Sequence, residues 1–290
     1  MALAVLTGLV LLAGCGGAGT QARATPKPTP HGTADVLYAA SLQNLFEHRL
    51  GPAFARASGY TYVGYAGGSS AIANEIRGKV RQGDVFVSAS PDVNQALEGD
   101  SNGNWVTWYA TFASAPLVIA YNPKTSFAKE LRTKPWYQAI AEPGIKLGRT
   151  DPVLDPKGRL TVEALNQAQQ LYGLPGFAAR IEGAAQVFPE EDLVGRLEAG
   201  QLDAGFFYAN EARDRKLPTV PLGKVKLAAT YTVTVLQNAP DPAGAIDFVT
   251  YLLGAHGRAL LQADGITVGP YQLSGARRDV PRQIRSLLPA

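Results

Sequence analysis

The sequence predicts an α/β protein whose folded body is divided into two lobes. From Ala34 onwards, short apolar runs alternate with helix-like segments, and glycine- or serine-rich turns join them, as in a parallel sheet covered by helices. The alternation of strands and helices restarts after two strand candidates near the middle of the chain. A later strand, at 226–236, returns to the first set of strands. The length of 290 residues suits two ordinary domains. We therefore expect a first lobe of residues 34–113 and 226–290 and a second lobe of residues 114–225.

The first lobe opens with three strand–helix pairs. Residues 36–38 form a short apolar strand, and Ser41, a preferred N-cap residue, begins a helical pattern that reaches Leu50. The following elements are a strand at 60–65, a turn at 67–70, a helix with Ile72, Ile76 and Val80 on one face, a strand at 83–88 and a helix from Pro91. Ligands of such sheets bind at the carboxyl ends of the strands, beside helix N-termini.

The second lobe follows two strand candidates, 105–113 and 116–121. The pattern then predicts a strand at 145–148, a helix at 161–172, a helix that begins with Glu190-Glu191-Asp192, and a strand at 204–208. Residues 226–236 alternate apolar and polar positions and return to the first lobe, where two helices, 242–253 and 256–264, complete the body.

Composition and charge exclude several classes of protein. Hydrophobic residues make up 46% and charged residues 18% of the chain, which excludes wholesale disorder. The formal net charge is +3, and it falls to +1 when Arg23 and Lys27 of the N-terminal segment are left out, so nucleic acid is not an expected partner. The single cysteine, Cys15, excludes an internal disulfide and a cysteine-based zinc site.

The N-terminal segment predicts a lipoprotein. Residues 1–14 are almost wholly apolar but too few to span a bilayer, which is typical of a signal peptide, although no Lys or Arg precedes them. The small residues before Cys15 resemble a lipobox, so we expect a signal peptide at 1–15 and a lipid on Cys15; the alternative is a buried helix with an incidental cysteine. Residues 16–33 are rich in Gly and Pro and predict a flexible tether.

Three strand-to-helix turns could bind an anion. They lie at residues 38–42, 67–70 and 155–158, and each would present unpaired backbone N–H groups at the positive end of a helix dipole. Such helix ends bind anions without Lys or Arg. Each turn alone could equally be an ordinary helix cap. Together they indicate a cleft for a small oxyanion.

A set of ordered motifs makes this expectation more specific. The chain resembles the molybdate/tungstate-binding proteins of ABC importers, which belong to the bilobal periplasmic binding proteins of type II. The motifs that carry the resemblance are AASL (39–42), YAGGSS (65–70), ANEI (73–76), DVFVSA (84–89), DPVLDPKG (151–158), EDL (191–193) and FFY (206–208). The resemblance implies two α/β lobes joined by hinge crossovers, with the ligand cleft between them.

The same resemblance implies a set of binding residues. The hydroxyl and amide groups of Ser41 and Ser69 would bind the oxyanion from the first lobe. From the second lobe, the amides of Lys157 and Leu193 and the hydroxyl of Tyr208 would complete the site. Fixed neutral donors suit a buried dianion, because a buried Lys or Arg side chain would add its own desolvation cost.

One position departs from the pattern. A branch of the family adds two carboxylates as direct metal ligands; Asp155 matches the first, but Phe207 stands where the second is a glutamate. Because a phenyl ring cannot coordinate a metal, we expect a four-coordinate, tetrahedral anion. Asp155 is then either a remaining ligand contact or a structural cap paired with Arg159.

These observations predict an extracytoplasmic, lipid-anchored solute-binding protein that captures molybdate or tungstate for an ABC permease. We expect a monomer with no cofactor and no catalytic activity. One alternative is another anion, such as sulfate, phosphate or an organic acid. A less favoured alternative is a serine hydrolase that uses Ser69, although Gly67-Gly68-Ser69-Ser70-Ala71 lacks the last glycine of a nucleophile elbow.

Overall fold

The computed structural model of the protein describes residues 31–289. The predicted signal peptide, Cys15 and most of the predicted tether lie outside these residues. Within the described range, no helix combines the length and the apolar character that crossing a bilayer requires.

The first lobe begins with three parallel strands, and β1 lies between the other two. A continuous helical segment follows β1 and includes a π-helical turn at Phe46–Leu50. The elements in chain order are β1 (Thr33–Ala39), a 3₁₀ turn (Ala40–Leu42), α1 (Gln43–Leu45), α2 (Gly51–Ser58), β2 (Thr61–Gly67), α3 (Ser69–Arg77), β3 (Val85–Ser88) and α4 (Pro91–Gln95).

One long strand, β4 (Trp108–Tyr121), connects the two lobes. The sequence predicted two strands here, and that prediction is wrong because the chain stays extended through Pro116. Up to Pro116 the strand pairs with elements of the first lobe, whereas from Leu117 onwards it pairs with elements of the second. The predicted boundary at 113/114 therefore falls within β4, three residues before the pairing changes.

The second lobe is built on the C-terminal part of β4. Its sheet combines strands parallel and antiparallel to one another, and the longest helix covers one face. Its elements are α5 (Ala128–Thr133), α6 (Trp136–Ala139), β5 (Leu147–Arg149), α7 (Pro156–Leu171), α8 (Phe177–Ala184), β6 (Gln186–Val187), α9 (Glu190–Glu198), β7 (Ala204–Tyr208), α10 (Ala209–Asp214) and β8 (Thr219–Pro221).

The chain then pairs again with strands of the first lobe. Strand β9 lies between β3 and β4 and is antiparallel to both. The returning elements are β9 (Ala228–Val235), α11 (Pro242–Leu253), α12 (Ala255–Ala263), β10 (Thr267–Gly275) and α13 (Arg282–Arg285). The sheet order β2-β1-β3-β9-β4-β7-β5-β6 therefore runs from one lobe into the other, with β8 and β10 also paired to β4.

The apolar core confirms the α/β layering. Buried residues of β1, β4, β7 and β9 pack against the helices of both lobes, with aromatic contacts such as Phe54–Phe248 and Trp136–Phe206. Two predicted details are wrong. Val80 is 80% exposed because α3 ends before it. Ser41 lies inside the 3₁₀ turn, whose N-cap is Ala39.

Candidate functional site

Adjacent strands of the first lobe bring Ser41 and Ser69 to the same edge of the sheet. In the parallel pair β1–β2, Ala39 is the register partner of Gly67. Ser41 is the second residue after the end of β1, and Ser69 is the second residue after the end of β2. Both side chains are buried. The carboxyl edge of the sheet is where α/β proteins bind their ligands.

Both serine hydroxyl groups accept a hydrogen bond from the protein. Tyr231 Oη donates to Ser41 Oγ over 3.1 Å, and the Ala89 N–H donates to Ser69 Oγ over 3.1 Å. A hydroxyl has one proton and two lone pairs. The accepted bonds fix the two oxygens and leave each O–H proton available to a ligand.

The second lobe adds a third hydroxyl, that of Tyr208 at the end of β7. Its side chain is fully buried, and its Oη has no hydrogen-bond partner among the described residues. The centre of its ring lies 6.3 Å from that of Tyr231, whose hydroxyl donates to Ser41, so Tyr208 lies near the Ser41 hydroxyl. Burial, followed by the nearby carboxyl groups, raises the pKa of Tyr208 well above its usual value, so the phenol remains a donor.

Asp155 is the N-cap residue of α7. Its Oδ1 accepts the Lys157 N–H over 3.0 Å, whereas its Oδ2 has no partner in the described part of the chain. The cap that the sequence allowed is therefore present. Its predicted pairing with Arg159 is wrong, because the Arg159 guanidinium binds Ser70 Oγ and Asp92 Oδ2, each over 2.9 Å.

The Lys157 side chain is also buried. The sequence predicted only the backbone amide of Lys157 as part of the site, and not its charged side chain. Its Nζ lies 2.8 and 3.0 Å from the two carboxylate oxygens of Glu211 and 3.1 Å from Glu190 Oε1. We call Asp155, Lys157, Glu190 and Glu211 the acid cluster. All four side chains are buried, and Glu211 also accepts the Tyr208 N–H over 2.7 Å.

Burial raises the pKa of all three carboxyl groups in the acid cluster, although the Lys157 ammonium opposes the shift. Burial lowers the pKa of Lys157. The charges of Glu190 and Glu211 outweigh this effect and hold the pKa of the ammonium above its usual value. The lysine is therefore charged and is neutralised by the protein itself.

Helix α9 presents its N-terminus to the same cleft. The Leu193 N–H, predicted as a donor, lies one turn inside the helix and donates to Pro189 O over 3.3 Å, while its side chain packs in an apolar cluster with Leu197 and Phe207. Among residues 31–289, the N–H groups of Glu190 and Glu191 have no acceptor, as expected for the first turn of a helix.

Two cavities meet at Glu190. One, of about 50 Å³, is lined by Ser41 of the first lobe and by Glu190, Glu191 and Glu211 of the second. The other, of about 340 Å³, lies between Gly68 of the first lobe and Asp155 and Glu190 of the second. In the range that the structure describes, no three acidic, histidine or cysteine side chains are arranged to hold a metal ion.

Direct contacts hold the two lobes together across the cleft. The Ala71 N–H donates to Leu154 O over 3.0 Å, and Asn210 Nδ2 donates to Ser41 O over 2.7 Å. A Cβ atom on Gly68 would lie 2.7 Å from Leu154 O, so the residue at this contact has to be glycine. The structure therefore represents a closed arrangement of the lobes.

Ser69 lacks the partners of a catalytic serine. The hydrogen bond from Ala89 is the only one that its Oγ makes within residues 31–289. His48 is exposed, and the His256 ring stacks on Tyr251. The nucleophile–base pair that a serine hydrolase needs is therefore not formed at this serine.

A two-lobed α/β fold that closes over a cleft is typical of periplasmic ligand-binding proteins. Residues 34–267 match the family described as bacterial extracellular solute-binding protein, and the chain belongs to that family. The predicted fold class and the predicted family are confirmed.

Named relatives are found among archaeal proteins. An ABC transporter molybdenum-binding protein of Haloferax volcanii is 32% identical over 286 residues, which cover 98% of this chain and 82% of the relative. A molybdate/tungstate-binding protein of Thermococcus kodakarensis is 27% identical over 207 residues, covering 53% of this chain and 58% of the relative.

Solved structures share the fold at low sequence identity. The periplasmic molybdate-binding protein of Azotobacter vinelandii aligns with a TM-score of 0.65 at 19% identity, over 81% of this chain and 99% of that one. The sulfate-binding protein SubI of Mycobacterium tuberculosis aligns with a TM-score of 0.63 at 12% identity, over 81% and 86%.

Proposed function

We propose that this solute-binding protein captures molybdate or tungstate in the cleft and delivers the anion to the permease of an ABC importer. The names of its relatives support this choice of ligand. The observation that carries the proposal is chemical: three buried hydroxyls, those of Ser41, Ser69 and Tyr208, have O–H protons to donate, and they come from both lobes.

In the proposed site, these three hydroxyls donate to the oxyanion. Hydrogen bonds to a charged acceptor stabilise a complex by about 1.5–3 kcal/mol each. The amides of Lys157 and Leu193 join the site only by releasing or sharing their present acceptors, Asp155 and Pro189. Asp155 contributes chiefly as the cap that fixes the first turn of α7.

Binding would stabilise the closed lobes without covalent chemistry. Because the donors lie on both lobes, the anion has a higher affinity for the closed state and shifts the population towards it. We propose lobes of residues 34–113 with 226–290 and residues 114–225, with the crossover in β4 completed at Pro116. We further propose a monomer without cofactor, held at the outer face of the membrane by a lipid on Cys15 and a tether at 16–33.

A ligand titration tests the proposal. The protein is heated with molybdate, tungstate, sulfate, phosphate or buffer alone. A ligand at a hundred times its Kd adds about 2.7 kcal/mol of stability. Since each kcal/mol corresponds to about 2–4 °C for a chain of this size, we expect the unfolding temperature to rise by about 5–11 °C with molybdate or tungstate.

The other anions supply the controls. Equal or larger shifts with sulfate or phosphate would assign the site to another tetrahedral anion. If neither metal oxyanion shifts the unfolding temperature at millimolar concentration, the proposal is wrong.

A further inference from the structure

One ion pair connects the two lobes beside the cleft. The guanidinium of Arg159, the fourth residue of α7, donates to Asp92 Oδ2 and to Ser70 Oγ, each over 2.9 Å. Arg159 belongs to the second lobe, whereas Ser70 and Asp92 lie in α3 and α4 of the first. Among residues 31–289, every other ion pair joins two groups of the same lobe. We call the contacts of Arg159 with Ser70 and Asp92 the Arg159 bridge.

The Arg159 bridge ends on the two segments that hold Ser69. Ser70 is the next residue in the chain, and Asp92 follows the turn whose Ala89 N–H donates to Ser69 Oγ. In the closed protein, a side chain of the second lobe therefore fixes both segments around a hydroxyl that is proposed to bind the ligand from the first lobe.

The bridge is accessible to solvent. The side chains of Arg159 and Asp92 are 36% and 58% exposed, and both line a cavity of about 330 Å³ between the lobes. The Ser90 hydroxyl donates to the other oxygen of Asp92 and orients the carboxylate. Because water can replace the guanidinium at both of its partners, its removal leaves no buried polar group unpaired. The bridge therefore contributes to contact between the lobes and not to the folding of either one.

We propose that Arg159 is a positioning residue for the anion, because its bridge forms when the lobes close and then slows release of the ligand. This inference rests on the proposed function and adds to it a residue that does not itself touch the ligand. Opening of the cleft separates Arg159 from Ser70 and Asp92, so the bridge stabilises only the closed state. The anion enters the open protein before the bridge exists, so its rate of association does not depend on Arg159.

Release of radiolabelled molybdate into an excess of unlabelled molybdate tests the inference, since it measures koff directly, while calorimetry measures Kd. Arg159→Met keeps an unbranched stem and removes every guanidinium donor. We expect koff and Kd to rise together by about 5- to 30-fold, the effect of an exposed ion pair with one further hydrogen bond to a charged group. The association rate constant, which is koff divided by Kd, should stay unchanged, whereas a general structural defect would lower it.

Asp92→Asn removes the partner of Arg159 from the first lobe and should also speed release. Long-range charge effects on a bound dianion would have opposite signs in the two variants, whereas loss of the bridge has the same sign in both. In the double variant, the two effects should not add, because both substitutions remove one interaction.

Arg180→Met is the matched control. It removes an exposed arginine of α8 in the second lobe, whose guanidinium lies over Phe177 of the same helix, and it should release molybdate as the unmodified protein does. Equal release rates in Arg159→Met and the unmodified protein would overturn the inference and leave the proposed function intact, and so would additive effects in the double variant. If the unmodified protein binds neither molybdate nor tungstate, the proposed function is refuted and the inference falls with it. If Arg159→Met does not fold, Asp92→Asn still decides the question from the other lobe.

Discussion

The hydroxyl group of Tyr208 destabilises the free protein and would be satisfied by a bound ligand. Its hydroxyl is buried without a partner, an arrangement that costs about 1–3 kcal/mol when no ligand supplies the hydrogen bond. The ring itself packs against Tyr231 and the rest of the core. The hydroxyl is therefore the part of the side chain that binding would satisfy.

Tyr208→Phe should weaken molybdate binding while leaving the free protein as stable as before, or more so. Loss of a hydrogen bond to a charged acceptor costs about 1.5–3 kcal/mol, which corresponds to about a 10- to 150-fold increase in Kd. Calorimetry measures the affinity, and thermal unfolding without ligand measures the stability. Tyr121→Phe, at a buried tyrosine at the far end of β4 that is not a candidate ligand residue, is the control. Unchanged affinity in Tyr208→Phe would remove this hydroxyl from the site.

At the scale of elements, the turn between β2 and α3 governs contact between the lobes. Gly68 precedes Ser69 and lies against Leu154 and Asp155 of the other lobe. Its φ of −59° is accessible to any residue, so the backbone itself does not require glycine. The close approach of Leu154 O across the cleft does.

Gly68→Ala should therefore impair closure rather than folding. The added methyl group would lie 2.7 Å from Leu154 O and 3.3 Å from the Asp155 Cβ. Overpacking costs about 1–3 kcal/mol, and here the cost falls only on the closed state, so the Kd for molybdate should rise by about 5- to 150-fold. Gly183→Ala, where a Cβ meets no atom within 4 Å, is the control. Equal affinities for molybdate in Gly68→Ala and Gly183→Ala would show that the contact at Gly68 does not control closure.

Elements with a strong local signal were predicted well. The predicted strand at 204–208 and the predicted helix at 242–253 have the same bounds as β7 and α11. Strand β10 was missed because Gly269 and Pro270 interrupt its pattern at the irregularity in its pairing with β4. Pro116 suggested a break in β4, but it stands where the strand exchanges partners and its missing N–H removes no necessary ladder bond.

The candidate site was predictable only in part. Ser41 and Ser69 follow the ends of neighbouring parallel strands, and such ends meet at one edge of a sheet, so their approach could be expected from the sequence. Tyr208 ends β7 in the other lobe, and only the resemblance to the family indicated it. Glu190 and Glu211 carried no such signal. Acidic residues in the first turn of a helix ordinarily face solvent and favour the dipole. Only the packing of α7, α9 and α10 reveals that these two side chains are buried with Lys157.

At the scale of the whole molecule, two carboxyl groups, those of Asp264 and Asp214, face each other where the lobes meet. Asp264 follows α12 of the first lobe, and its Oδ1 accepts a hydrogen bond from Arg49 over 2.7 Å. Asp214, the last residue of α10 in the second lobe, is its carboxyl neighbour. Burial and then Asp214 raise the pKa of Asp264 to about 7, against the opposing charges of Arg49 and Arg213.

This arrangement makes the closed protein sensitive to pH in a defined direction. A carboxyl group whose pKa is raised on folding contributes stability that is fully present below about pH 4 and is lost as the pH rises through about 7. We therefore expect the unfolding temperature of the ligand-free protein to fall between pH 5 and 8 by more than it does in Asp264→Asn. Each kcal/mol lost lowers it by about 2–4 °C.

The comparison between variants isolates this pair. Other buried carboxyl groups with a raised pKa, such as Asp84 and Glu190, are unchanged in Asp264→Asn, so their contributions cancel. Asp279→Asn, at an exposed carboxyl group, should retain the full pH dependence. Parallel unfolding profiles for Asp264→Asn and the unmodified protein would show that the Asp214–Asp264 pair does not carry the effect.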